Sequence, residues 1–201
     1  MRATQLSLLG REPPGLVADF SRCRRTDLDA RSFLDYLPSF VSGHASLFEH
    51  LQATMNWHVV RRVMYDRDVD VPRLIASVPD DGAAHPVLAR AAGRLSDRYG
   101  VELDAITLAL YRDGNDSVAW HSDRVRDRTR SLVAIVSLGD PRRFMLRALG
   151  GGTSIVQGFG HGDLLVMGGA CQAGFQHCIP KTKHAQPRLA VMFRNRASQR
   201  D

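Results

Sequence analysis

Two H-x-D strings, His121-Ser-Asp123 and His161-Gly-Asp163, stand out among the eight histidines of this sequence. On an extended backbone, residues two apart project to the same side. Such a string therefore aims an imidazole and a carboxylate at one point. A second imidazole completes the two-histidine, one-carboxylate facial triad, which leaves coordination positions open and suits non-haem Fe(II) working with dioxygen. His177, in the middle of FQHCI, supplies it. His177 follows Asp123 by 54 residues with four strand-like runs between them, enough chain to leave a site, circle a sandwich and return. Asp163 precedes His177 by only 14 residues and sits in GHGD, a turn string running straight into LLVM. His121, Asp123 and His177 are accordingly the expected metal ligands and chemical centre, and His161 and Asp163 are read as turn residues.

The run RLAVMFR at 188–194 places Arg188, Ala190, Met192 and Arg194 on one face and Leu189, Val191 and Phe193 on the other. Arginines on the inner face of a sandwich are costly unless anions meet them. A small dicarboxylate suits guanidinium groups; protein carboxylates are the other available partners for Arg194. Tyr111, closing the run AITLALY just before the H-x-D string, can donate its hydroxyl to the same ligand.

Several short strands must hold these groups. The runs 105–111, 131–138, 143–148, 153–157, 163–167, 174–179 and 188–194 are β-type and separated by Gly, Pro and Asp, the pattern of a sandwich or jelly roll. Ahead of them, 43–53 reads as a helix and 57–64 as a strand, while 70–73, with Pro72, reads as a loop or edge segment. The spacing predicts a helix over 86–99, with Pro86 in its first turn and Gly100 as its stop. The expected architecture is α+β and mainly β, one domain over 1–201, with an irregular arm at 1–27, helices and a lid segment at 28–100, and a jelly-roll core at 101–196.

Composition excludes several classes. With 44% hydrophobic residues the chain can bury a core. No stretch approaches the ~20 apolar residues of a membrane span, and the start MRATQLSLLG has no sustained apolar export region. Three cysteines without a C-x-x-C pair read as reduced thiols, so a cytoplasmic monomer without membrane contact is expected. The 27 basic against 21 acidic residues give +6, and Lys181 and Lys183 are the only lysines. That excess fits a polyanion partner, and equally an arginine-rich genome.

The strings ALYRDGNDSVAWHSD, IVSLGDPRRFMLR, GHGDLLVMGGACQ, FQHCIPK and PRLAVMFR, spanning about Leu108 to Arg194, resemble the AlkB family of Fe(II)- and 2-oxoglutarate-dependent dioxygenases. MYDRDVDVPR at 64–73 resembles the family's nucleotide-recognition lid more weakly. The resemblance implies a double-stranded β-helix in which His121, Asp123 and His177 hold Fe(II). Arg188, helped by Tyr111, would take the distal carboxylate of 2-oxoglutarate, and Arg194 would lie near its chelating end. It further implies that decarboxylation of 2-oxoglutarate with O2 is coupled to hydroxylation of an N-linked methyl group on a base in DNA or RNA, which departs as formaldehyde.

The sequence leaves the family's pattern at several positions. Ala109 and Ala190 stand where asparagines are common, Val125 where several members have an acidic residue, and Val78 where a lid aromatic is usual. A base would then stack on Tyr65 or Trp57. Arg73, Arg124, Arg126 and Arg147 are expected nucleic-acid contacts, as members of three arginine groups at 61–73, 124–130 and 142–147. The missing aromatic favours the alternative, an oxygenase of the same chemistry acting on a protein, lipid or small molecule; the arginine groups favour nucleic acid.

Overall fold

The computed structural model describes residues 12–64, 67–79 and 84–198. The chain begins with a short strand β1 (Gly15–Leu16), a hairpin of β2 (Arg24–Asp29) and β3 (Ser32–Leu37), and β4 (Val41–Ser42), which pairs back onto β1. Helix α1 (His44–Thr54), the strands β5 (His58–Met64) and β6 (Arg67–Ser77), and helix α2 (Pro86–Tyr99) follow. The remaining elements are β7 (Ala105–Tyr111), β8 (Val118–His121), β9 (Ser131–Gly139), β10 (Arg142–Ala148), β11 (Ile155–Phe159), β12 (Asp163–Gly169), the one-turn helix α3 (Cys171–Gly174), β13 (Phe175–Ile179) and β14 (Arg188–Arg194).

Two antiparallel sheets face each other. The larger runs β2-β3-β12-β9-β14-β7-β6-β5, and the smaller β11-β10-β13-β8. From β7 to β14 the chain changes sheet at every link except the β10–β11 hairpin, so strands distant in sequence become neighbours, as in a jelly roll. The alternation of β14 decides which core each residue joins. Leu189, Val191 and Phe193 pack with Leu47 and Leu51 of α1 and Leu88 and Leu95 of α2 on the outer face of the large sheet. Ala190 turns inward, with Ile135, Phe144, Leu146, Phe159 and Leu165, between the sheets. Each fully buried aliphatic or aromatic side chain of these layers contributes about 1.5–3 kcal/mol. The helix predicted over 86–99 has the stated bounds; the His85 ring accepts the Val87 N–H, and Gly100 ends it at φ 64°, in the left-handed region.

Three expectations are corrected. The irregular arm at 1–27 is interrupted by strand at Gly15–Leu16 and again from Arg24, while residues 1–11 lie outside those described. Strand β2, RRTDLD, is exposed at almost every position and carries no apolar period to read. Its backbone is recruited by β3, where Arg25 forks onto the buried Asp35 carboxylate at 2.7 and 2.8 Å. The segment 28–100 is not only helices and lid, because β3 and the β5–β6 hairpin within it belong to the large sheet. Residues 70–73 are strand rather than loop: Pro72 sits where the β5–β6 register slips, a place that needs no ladder N–H, and its carbonyl accepts from Ser117 N at 2.9 Å.

Candidate active site

The pairing of β8 with β13 sets His121 opposite His177, with ring centroids 4.2 Å apart. Asp123 follows just past the end of β8. Its Oδ1 lies 3.5 Å from His121 Nε2 and 3.9 Å from His177 Nε2, and the three ligand atoms fall within 4.8 Å of one another. Among the described residues this is the one His/Cys/Asp/Glu cluster that could hold a metal ion.

The surroundings prepare each group to ligate. His121 Nδ1 donates to the Ala119 carbonyl at 2.9 Å, which turns Nε2 toward Asp123. His177 is 5% exposed and lies against the Phe144 ring at 5.4 Å. Burial is the main cause that pushes its pKa down to about 3, against the pull of Asp123, so the imidazole is neutral at physiological pH. Asp123 is opposed by its own burial. The Arg194 cation and the His121 side chain outweigh that and hold its carboxyl well below the usual range. A carboxylate and a neutral His177 imidazole are the deprotonated ligands a divalent ion requires. Arg194 Nη2 occupies Oδ2 at 3.0 Å, so Oδ1 is the oxygen left for the triad. Behind the turn, the Asp123 N–H donates to Gln172 Oε1 at 2.7 Å.

A pocket opens beside the triad. Ile135, Phe144, Phe159 and Ile179 form apolar walls, and Arg73, Tyr111, Arg188 and Arg194 are its polar groups away from the triad. Arg188 is 1% exposed. Its Nε donates to Ser137 Oγ at 2.7 Å, and its Nη1 is buried without a partner. Burial first, then the nearby Arg142 and Arg73 cations, lowers its pKa to about 10, against the influence of Tyr111, and it stays charged. A buried, half-satisfied guanidinium beside an open metal triad fits the group the sequence implies, an ion with a small carboxylate ligand.

The expected residues divide on these grounds. His121, Asp123, His177, Tyr111, Arg188 and Arg194 meet in one pocket, and Arg73 joins them rather than standing on a rim. Arg124 and Arg126 are exposed on either side of buried Val125. Arg147 lies elsewhere. Its β10 register is with Gln176, not with inward-facing His177, and its guanidinium stacks 3.9 Å from the Trp120 ring centre on the outer face of the small sheet. Arg142 is also removed from any rim, being buried and donating to the carbonyls of Asp113, Asp116 and Pro180. Trp57 packs on the helix-side core with its indole N–H on Gln52 O, and Tyr65 lies outside the described residues. The rejected pair behaves as a turn: Asp163 takes Tyr36 Oη and Ser39 N, and His161 has φ 52°. Sequence reasoning missed Gln172 and Ser137, whose only trace is position: one on the helix before β13, the other level with Ala190 in the ladder.

Residues 50–200 match the family described as the 2OG-Fe(II) oxygenase superfamily. The chain is 30% identical over 172 residues to a Bos taurus alpha-ketoglutarate-dependent dioxygenase alkB homolog 3, covering 74% of this chain and 60% of that one. The Homo sapiens alkB homolog 3 is 36% identical over 121 residues, 55% of this chain and 42% of its own. The chain thus spans between two fifths and three fifths of the curated relatives' length. In fold it resembles a Trichoplax adhaerens prolyl hydroxylase solved with a hypoxia inducible factor peptide fragment. The TM-score is 0.59 at 13% identity, over 80% of this chain and 82% of that one. Among the described residues no helix is long and apolar enough to cross a membrane.

Proposed function

The chain belongs to the 2OG-Fe(II) oxygenase superfamily, and from that premise we propose that it removes N-linked methyl groups from bases of alkylated nucleic acid. One observation carries the reading. A two-histidine, one-carboxylate triad shares a pocket with a buried, half-satisfied guanidinium, in a chain whose curated relatives are alkB homologs. His121, Asp123 and His177 would hold Fe(II). With 2-oxoglutarate and O2, that centre would supply oxidation of a C–H bond, one oxygen atom going to the cosubstrate as it loses carbon dioxide to become succinate.

This chain's own residues do the rest. Arg194 fixes Asp123 by one oxygen and leaves the other free for the ion. Arg188, braced by Ser137, neutralises the distal carboxylate of the cosubstrate. Ile135, Phe144, Phe159 and Ile179 keep water from the reacting centre and strengthen every charge interaction within it. Arg124 and Arg126, exposed just beyond Asp123, meet phosphates and bring the base to the opening.

The test reads formaldehyde, which a hydroxymethylated base nitrogen sheds. The protein with Fe(II) and 2-oxoglutarate should release it from oligonucleotides carrying 1-methyladenine or 3-methylcytosine, and His177→Ala should reduce release to background. A wild-type protein that takes up metal and 2-oxoglutarate, leaves every methylated DNA and RNA untouched and consumes cosubstrate on a protein, lipid or metabolite would overturn the nucleic-acid reading.

A further inference from the structure

Two arginines lining the pocket each have a guanidinium nitrogen without a partner among the described residues. Arg188 Nη1 and Arg73 Nε are both shielded from solvent and unpaired among the described residues. The side chains arrive from different strands, β14 and β6, and both line the one pocket. Tyr111 stands between them. Arg73 Nη1 donates to its hydroxyl at 2.9 Å, and the guanidinium carbons of Arg188 and Arg73 lie 5.1 and 5.8 Å from its ring centre.

Among the described residues the charges lining the pocket do not balance. Asp123 is the one carboxylate lining the pocket, and Arg194 already holds it. Arg142, also 5.8 Å from the Tyr111 ring, is satisfied by three carbonyls and offers no anion. A buried and a half-buried cation side by side, each with a shielded, open N–H group, repel each other and are costly without a shared counter-ion. On the same inner face, the residues next to Arg188 and Tyr111 are Ala190 and Ala109, which have no side-chain donor. An anion at this end of the pocket therefore meets Arg188, Arg73 and the Tyr111 hydroxyl.

We infer that Arg73 is a second guanidinium for the distal carboxylate of 2-oxoglutarate, sharing it with Arg188 across Tyr111. The inference rests on the cosubstrate named in the proposed function, and it assigns Arg73 to the cosubstrate rather than to nucleic acid. Arg73 selects the five-carbon dicarboxylate over a monocarboxylate of the same length by paired charge, and the forked guanidinium lets one side chain serve Tyr111 and the ligand together.

Direct binding tests this without turnover. Calorimetric titration of the Mn(II)-loaded protein with 2-oxoglutarate, in the absence of oligonucleotide, should show Arg73→Gln weakening binding about 10- to 100-fold, the span of one lost charge-assisted contact. Mn(II) affinity should not change. Binding of 2-oxopentanoate, which lacks the distal carboxylate, should be weak in the wild type and unaltered by the substitution. Arg73→Lys keeps charge and stem but loses the fork. It should bind 2-oxoglutarate several-fold more weakly, and it serves if the Gln variant does not fold. Wild-type affinity in a folded variant overturns the inference, even if oligonucleotide binding falls. A wild-type protein that binds Mn(II) but no 2-oxoglutarate overturns both this inference and the proposed function.

Discussion

Gln172 sets the direction of the Asp123 carboxylate without touching it. It is 1% exposed; its Oε1 accepts the Asp123 N–H at 2.7 Å, and its Nε2 reaches Met167 Sδ at 3.7 Å. Its backbone carbonyl accepts from Arg128, so the strand-end turn and α3 are tied together twice. The main chain of Asp123 is thus held from one side and Oδ2 from the other by Arg194. Gln172→Leu, close in volume, would leave the Asp123 N–H without its acceptor. The expected loss is about 1–3 kcal/mol of stability and about 10- to 100-fold in metal affinity, as for other groups that orient a ligand. A Co(II) absorption titration of the folded variant measures the second effect, and wild-type affinity would show that Arg194 alone orients the carboxylate.

The turn between β7 and β8 delivers the H-x-D string, and Asp116 holds it closed. The Arg112 N–H and side chain give its carboxylate three hydrogen bonds of 2.8 Å, and Asp116 is 3% exposed. Burial pushes its carboxyl pKa up, but the bonds from Arg112 and the Arg142 charge outweigh that and leave it below 3.8. A depressed folded value means that the unfolded chain takes up the proton first as pH falls. This contribution is therefore present above pH 3.8 and is lost as pH falls through the folded value. Asp116→Asn should cost about 1–2 kcal/mol at pH 7, since Arg112 is half exposed and its part is screened, and the gap should shrink in urea unfolding below pH 4. A gap constant across that range would mean that the amide replaces the carboxylate's bonds. The same turn shows what the sequence could reveal. Strands β7 and β14 were readable to the residue because apolar side chains alternate on both faces of a covered sheet. Strand β8, VAWH, is short, partly exposed and held only by β13, so only its histidine was visible. The triad was readable because its ligand types and spacing are themselves the signal. The parts of Arg73 and Gln172 depend on which distant strand folds over the pocket, and no local pattern records that.

Across the whole molecule the arginines separate by environment, and net charge does not reveal the division. Arg142 and Arg188 are buried; Arg25 and Arg112 are bound to carboxylates. Arg147 lies over Trp120, facing away from the triad. Arg124 and Arg126 are the exposed cations nearest Asp123 in the chain, thrown outward because Val125 between them is buried. If a single-stranded substrate crosses the opening there, each would neutralise one phosphate and release its condensed counterion. The slope of log affinity against log salt is about −0.7 per phosphate for single strands. Changing both Arg124 and Arg126 to Gln should therefore flatten that slope by about 1.4 and weaken oligonucleotide binding most at low salt, while 2-oxoglutarate affinity stays unchanged. Arg147→Gln should alter neither. Fluorescence anisotropy of a methylated oligonucleotide across a salt series decides the matter. Flattening by Arg147→Gln as large as that of the pair would route the strand over the outer face of the small sheet. A wild-type slope near zero would remove phosphate recognition from this surface altogether.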